Sequence, residues 1–387
     1  MTDARPLRIA ILAHSTNPRG GVVHALALGD ALVRLGHDAV VHAPDAKGMG
    51  FFRPTVCSTI PVPASEAGPD TAAMVETRVA DYVRHFEKTW NRDFDVFHAQ
   101  DGISGNALAT LKERRLIERF ARTVHHIDTF RDGRLSDLQM RAIQAADQLF
   151  VVSRTWRDHL RDRFGKPATV VGNGVDRSTY TSIPDGREPD LRRRLGLGVG
   201  PVFLAIGGLE ERKNTIGILQ AFLQLRIVYP KAQLVVAGGA SLLDHHAYQA
   251  RFDDALAESR LPEGSVVLTG PMAHDDMPAL YRICNTLVFP SLREGFGLVV
   301  IEAMASGLPV IVAGVEPFTE YLGDDEAIWC DPRNAASIAN AMVASLGEPF
   351  RSQLAKRGAT VAARHDWLDT ARAHLPAYQS LPEFQHA

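Results

Sequence analysis

The sequence predicts an α/β protein of two doubly wound parallel sheets, each covered by helices and facing its partner across an interdomain cleft. Three observations predict it. Short, nearly continuous apolar runs recur along the chain, as strands buried on both faces require. Segments of helical period stand between them. The series lapses once, between about Asp176 and Pro201, where Pro184, Gly186 and Pro189 precede Arg192-Arg193-Arg194 and the glycines 196, 198 and 200. That lapse reads as a linker. At 387 residues the chain is long enough for two to three domains of about 150 residues each. The expected division is 1–180, 181–365 and a terminal helix over 366–387.

The first strand is Leu7 to Ala13, followed by a loop from His14 to Gly21. Val22, Ala25, Leu26, Gly29, Leu32 and Val33 then recur at helical spacing, and Gly36 stops that helix before a strand at Ala39 to Ala43. Strand, glycine loop, helix and strand make one βαβ unit. Further strands are expected at Val96 to Ala99, Thr123 to His126 and Gln148 to Val152. The second series runs through Val202 to Ile206, Gln233 to Ala237, Ser265 to Leu268, Thr286 to Phe289, Pro309 to Val312 and Ala327 to Cys330. In such sheets ligands bind beyond the carboxyl ends of the strands.

Composition narrows the function. Hydrophobic residues are 45% and charged residues 22%, a globular balance, and the formal charge of -3 offers no basic field for nucleic acid. Cys57, Cys284 and Cys330 share no motif spacing and leave an odd count, so neither a disulfide framework nor a zinc site is expected. A reducing, cytoplasmic setting is the expectation. The apolar start is too short for a signal peptide, and no run of about eighteen apolar residues spans a membrane.

The most informative segment is Pro290-Ser291-Leu292-Arg293-Glu294-Gly295-Phe296-Gly297-Leu298-Val299-Val300-Ile301-Glu302-Ala303-Met304-Ala305-Ser306-Gly307-Leu308-Pro309-Val310. It follows a strand and opens a helix from about Leu298 to Ser306, which Gly307 ends. Amides at that helix start, approached closely past Gly295 and Gly297, suit a phosphate. Glu294 in the loop and Glu302 in the helix address two parts of one ligand. Loop and helix alone equally suit a capped helix with solvated acids.

With seven residues between the two glutamates, the whole string resembles the signature of the retaining GT-B glycosyltransferases. These form the large group 1, family 4 set that includes bacterial glycogen synthases and phosphatidylinositol mannosyltransferases. Asp147 to Ser153, Val170 to Asp176 and the Gly20-Gly21 loop are similar to further segments of that group, so the matches run from about Arg8 to Pro309. The resemblance implies two Rossmann-like domains. It also implies that Glu294 and the amides of Gly295, Phe296, Gly297, Leu298 and Val299 hold the donor sugar while Glu302 binds the ribose hydroxyls. Gly20 and Gly21 fall at the matching first-domain turn on the donor side.

Ile206-Gly207-Gly208-Leu209-Glu210-Glu211-Arg212-Lys213-Asn214 follows the first strand of the second domain. Lys213 matches the family's diphosphate lysine, and an ammonium there would neutralise charge on the leaving group. Where the family commonly has arginine, this chain has Gly208. Arg212 supplies the charge from a neighbouring position, or is an exposed basic residue at a helix start. Val235 to Gly239 and Val267 to Met272, with Gly270 and Met272, are similar to stretches lining the base pocket; ordinary βα turns explain the glycines as well.

In the first domain His125 matches the histidine the family places beside the donor sugar, against the alternative of a structural strand-end residue. Asp101, ending His98-Ala99-Gln100-Asp101, either meets the acceptor or caps the helix that follows. The pairs His125-His126 and His245-His246 lack metal-ligand spacing, and no metal site is expected. Lys112, Arg114, Arg115, Arg119 and Arg122 read as one basic helical stretch, either solvated or in weak peripheral contact with a membrane. His365-Asp366-Trp367 and the helix through Tyr378 resemble the family's segment that returns to the first domain.

The expectation is therefore a hexosyltransferase of the EC 2.4 class. It moves a sugar from a nucleoside-diphosphate donor, UDP first on family frequency alone, to a saccharide, lipid or small-metabolite acceptor, with retention and without a metal or other cofactor. A sugar-nucleotide epimerase and a glycosyl phosphorylase share the scaffold. A non-catalytic nucleotide-sugar-binding partner is the rival of another class, and two acids with a lysine at one strand edge argue against it. A dehydrogenase is the weaker rival still, because Gly20-Gly21 does not complete G-x-G-x-x-G and the dinucleotide fingerprint is missing.

Overall fold

The computed structural model describes residues 5–239 and 245–381. They form two compact units, one running to Asn173 and resuming at Trp367, the other Gly174–Asp366. Unit 1 contains β1 (Arg8–Leu12), β2 (Asp38–Asp45), β3 (Ser58–Pro63), β4 (Val96–Ala99), β5 (Ala121–Val124), β6 (Gln148–Val151) and β7 (Thr169–Val170). Unit 2 contains β8 (Val202–Ile206), β9 (Gln233–Ala237), β10 (Val266–Gly270), β11 (Thr286–Phe289), β12 (Val310–Ala313) and β13 (Ile328–Cys330). The sheets run β3-β2-β1-β4-β5-β6-β7 and β10-β9-β8-β11-β12-β13, and their neighbouring strands pair in parallel. Each is a doubly wound α/β sheet.

Glycine ends the helices where expected, by one mechanism. After Gly20–Arg34, Gly36 takes φ +89°, and the amides of Gly36 and His37 return to Val33 and Leu32 carbonyls at 3.0 Å each. Gly307, at φ +77°, closes Leu298–Ala305 in the same way, its amide and that of Leu308 reaching Met304 and Ala303. Only glycine takes this left-handed position without strain. The core of unit 1 gathers Phe86, Phe97, Phe120 and Leu108 against the sheet; that of unit 2 gathers Phe203, Phe222, Leu234 and Ile311. Truncating Phe86 or Phe222, both without exposed surface, would cost about 3–5 kcal/mol.

Four expectations change. The stretch read as a linker holds a helix, Glu188–Arg194, with proline in its first turn; Arg282 ties it down by donating Nε to Glu188 at 2.6 Å and Nη1 to the Thr181 carbonyl at 3.2 Å. The basic stretch is not one helix. Gly102–Glu113 takes in Lys112 and stops before the arginines, Arg115 turns to φ +58°, and Arg122 lies in β5 only 4% exposed. β5 ends at Val124, so His125 and His126 stand beyond the strand. Two strands were not expected: β3, whose prolines fit only an edge, and the two-residue β7 on the opposite edge.

Candidate active site

In both sheets the strand order reverses at one place, between β1 and β4 and between β8 and β11. Loops leaving those neighbours diverge and open a crevice at the carboxyl edge. The expected site residues of unit 2 lie on such loops.

Beyond β8 the chain turns through Gly207 at φ +127° and Gly208 at φ +73°. A Cβ on Gly207 would stand 2.7 Å from Lys213 Cε, so the glycine leaves room for the lysine to fold back along the strand end. One 3-10 turn, Glu211–Lys213, delivers that side chain. Lys213, 9% exposed, donates Nζ to Glu294 Oε2 at 2.5 Å and lies 4.4 Å from the Phe289 ring centre. Burial pulls its pKa down, the carboxylate of Glu294 opposes that, and Arg212 adds to the lowering. Arg212 itself pairs with Glu210 at 2.9 Å and reaches Glu294 at 3.4 Å. The Leu292 amide donates to the Arg212 carbonyl at 2.8 Å, which locks the loops after β8 and β11 together. Lys213, Arg212 and Glu294 thus form one charged cluster.

Gly295 donates its amide to Glu294 Oε1 at 3.2 Å. Phe296 stacks on Tyr321 at 4.6 Å between ring centres, and Tyr321 donates its hydroxyl to the Phe296 carbonyl at 3.1 Å. Gly297 at φ +93° then starts Leu298–Ala305 without a side-chain cap. The first turn, with Leu298 and Val299 half-buried, therefore keeps the partial positive charge of a helix N-terminus. Glu302 is buried one turn deeper and accepts from the Tyr281 hydroxyl at 2.8 Å. Burial pushes its pKa up to about 7, resisted by hydrogen bonds from Tyr281 and Tyr180. Neither tyrosine was singled out in the sequence; they come from distant segments, and no local pattern links them to Glu302.

The turns after β8, β9 and β10 are woven backbone to backbone. Gly207 donates to the Ala237 carbonyl and Gly238 to that of Gly270, each at 2.9 Å. Gly270 takes φ +64°, and Met272 lies half-buried just beyond it. A Cβ on Gly208 would fall 2.6 Å from the Gly239 carbonyl oxygen. The backbone here has no room for the arginine common in the resembled family, while Arg212 lies one turn along.

Unit 1 gathers imidazoles instead. A Cβ on Gly21 would lie 3.6 Å from the His125 ring, whereas Gly20 faces open space. His125 Nε2 is 3.0 Å from Gln100 Oε1, and its ring meets His24 edge-on at 4.9 Å. His24 Nδ1 bonds Asn173 at 2.7 Å. From Trp367–Ser380, Tyr378 bonds His98 Nδ1 at 2.6 Å and His374 packs on Phe150 at 4.4 Å. Burial keeps these rings neutral, lowering His24 to about 4 and His374 to about 3, and pulling His98 and His125 down as well. Sequence reading passed over His24, although a histidine on an apolar helix face was its signal. Asp101 caps Gly102–Glu113, accepting from the Ser104 amide at 2.9 Å. Among the described residues no group of three or more His, Cys, Asp or Glu side chains is arranged to hold a metal, and no helix is long and apolar enough to cross a membrane.

Two family models match in tandem: Glycosyltransferase Family 4 over residues 18–179 and Glycosyl transferases group 1 over 188–360. The phosphatidyl-myo-inositol mannosyltransferase of Propionibacterium freudenreichii is 27% identical over 93% of this chain and 92% of its own. The O-antigen chain mannosyltransferase B of Escherichia coli is 32% identical, over 46% of this chain and 45% of its own length. Among solved structures, Anabaena HepE in complex with UDP and glucose superposes with a TM-score of 0.77 at 18% identity, covering 97% of this chain and all of that one.

Proposed function

Because the chain belongs to the group 1, family 4 glycosyltransferases of the GT-B fold, we propose that it is a retaining hexosyltransferase whose donor is a nucleoside-diphosphate sugar, UDP-linked in the first instance. The observation that carries this reading is the cluster of Lys213, Arg212 and Glu294 at the carboxyl edge of β8 and β11. A glycosyl diphosphate gains charge on its phosphate oxygens as it departs, and preformed cations at that point lower the barrier. Lys213, Arg212 and the N-terminus of Leu298–Ala305 supply them without a metal. Glu294 holds Lys213 in its charged form and orients it, and contacts the sugar hydroxyls. Glu302 receives the ribose hydroxyls, and the glycine-rich turns after β9 and β10 line the base. His125 of unit 1 keeps the sugar-side role that its match to the family's histidine implies.

In the proposed step the bond from the anomeric carbon to the diphosphate breaks, and a bond to the acceptor oxygen forms on the same face. The acceptor proton passes to the departing phosphate oxygen. The UDP complex of the HepE relative and the mannosyltransferase names support the donor class. The test is incubation with UDP-glucose and GDP-mannose in the presence of EDTA and an acceptor panel, with NMR of the product. An α-linked product from an α-linked donor is expected. A β-linked product removes the mechanism; a donor epimerised without any acceptor replaces the function with an epimerase.

A further inference from the structure

We propose that Tyr281 and Tyr180 are positioning residues for the nucleotide: their two hydroxyls keep the Glu302 carboxylate charged and in place for the ribose. The proposal rests on the glycosyltransferase reading and adds the groups that prepare Glu302 for its ligand. Glu302 is 8% exposed, within the apolar helix Leu298–Ala305. A buried carboxylate is costly there unless hydrogen-bond donors meet it. Tyr281, with no exposed surface, donates its hydroxyl to Oε2 at 2.8 Å, and the Tyr180 hydroxyl donates to the same carboxylate. The two rings meet edge-on at 5.8 Å between centres. Phenylalanine would fill either space, so packing does not account for the hydroxyls. A charged carboxylate accepts from both phenols. A neutral carboxyl would turn its own proton toward one of them, a weaker arrangement.

One short helix, Met277–Ile283, brings both phenols to the acid. It carries Tyr281 directly. Its next residue, Arg282, donates to the Thr181 carbonyl and to Glu188, and so anchors the segment that carries Tyr180. That segment also runs close over the end of the Glu302 helix, where a Cβ on Gly307 would stand 2.9 Å from Ser182 Cβ. The stretch leading into the second sheet is thereby part of the nucleotide site. Other charges nearby are spoken for. Arg282 is balanced by Asp185 at 2.9 Å and Glu188 at 2.6 Å. Burial pushes the Cys284 thiol up, so it stays neutral. The helix Phe350–Ala363 packs on the far side, where a Cβ on Gly358 would come within 3.1 Å of Met304 Cγ. Its Lys356 is exposed, and its Arg357 pairs with Asp325 at 3.3 Å. Among the described residues the two phenols are what offsets burial at Glu302.

Calorimetric titration of the full chain with UDP, from about pH 5.5 to about pH 9, tests the proposal. Wild-type affinity should rise with pH through a midpoint. Tyr281→Phe and Tyr180→Phe keep the rings and remove one donor each. Each should move the midpoint up by about one pH unit, the worth of one hydrogen bond to a charged group. UDP would then bind about fivefold more weakly at pH 7 and within about twofold of the wild type at the upper plateau. Either variant alone decides, should the other fail to fold. In Glu302→Gln, adding Tyr281→Phe should change UDP affinity no further. An unmoved midpoint with a lowered plateau, which packing alone would give, overturns the proposal, as does a Tyr281→Phe loss that persists in Glu302→Gln. Failure of the glycosyltransferase reading looks different, because UDP would then bind the wild type at no pH.

Discussion

The two units share a winding plan and differ in what they do with charge at the same topological place. At the reversal point of unit 2, Lys213, Arg212, Glu294 and Glu210 are held as ion pairs. At that of unit 1, His24, His98, His125 and His374 are held neutral by burial. The contrast teaches that a doubly wound sheet fixes where a ligand binds and leaves its polarity to a few loop residues. A charged edge suits a diphosphate that changes charge during reaction; a neutral one suits hydroxyl chemistry.

The comparison breaks most readily at Lys213. Lys213→Ala should lower turnover about a hundred- to a thousandfold, the worth of about one well-placed charge stabiliser. Steady-state release of nucleoside diphosphate measures it, and near-normal turnover would show that the charge is met elsewhere. Glu294→Ala should likewise depress turnover while leaving the affinity for free UDP close to that of the wild type.

Glu302 sharpens the contrast through pH. With its pKa pushed up to about 7, the Glu302 carboxylate, proposed above to receive the ribose hydroxyls, forms only as pH rises through that value. Calorimetric affinity for UDP should strengthen about tenfold between pH 6 and pH 8, as a proton leaves Glu302. Glu302→Gln should weaken binding at pH 8 and flatten the profile; a profile that persists in the variant assigns the proton to another group.

For unit 1 the relevant property is stability. Its buried histidines have folded-state pKa values below the unfolded value, so below about pH 6.5 the unfolded chain takes up protons that the folded one refuses. Stability present above that pH is lost as pH falls toward 4, at about 1.4 kcal/mol per pH unit for each such histidine. Hydrogen exchange at pH 5 should show unit 1 opening before unit 2, and His374→Phe should reduce the difference. At Gly208 no gain in donor binding is expected. Gly208→Arg should lose about 1–3 kcal/mol to the left-handed backbone and the Gly239 carbonyl, without improving UDP affinity, as thermal melting with and without UDP would report.

Much of this was legible in the sequence where structure is local. Strands buried on both faces are written as apolar runs, and β4, β8, β9 and β11 fall on the expected residues. β3 was not legible because Pro61 and Pro63 argue against a strand, and only an edge position admits them. Arg122 misled because a charge in a basic run reads as solvated; its burial in β5 depends on the gap that Gly105 leaves in the helix Gly102–Glu113. The same holds at the site. Glu294, Glu302 and Lys213 stand in recognisable strings, whereas Tyr281, Tyr180 and His24 earn their places only through tertiary contacts. Asp101 shows the limit most clearly, since the spacing identifies a cap and only the coordinates show that one oxygen is left over.

The placement of Trp367–Ser380 on unit 1 has a consequence for biosynthesis. Unit 1 is translated first but is completed last, because the helix that covers Phe150 and bonds His98 follows the whole of Gly174–Asp366. At a ribosomal rate of about 5–20 residues per second, that interval is roughly 10–40 s. For that time the nascent chain carries an open apolar face on its earliest-made portion, while the contiguous later portion closes as soon as it emerges. Chaperone occupancy on stalled nascent chains should therefore persist through residue 366 and fall in chains extended by a linker long enough to bring residue 380 out of the tunnel.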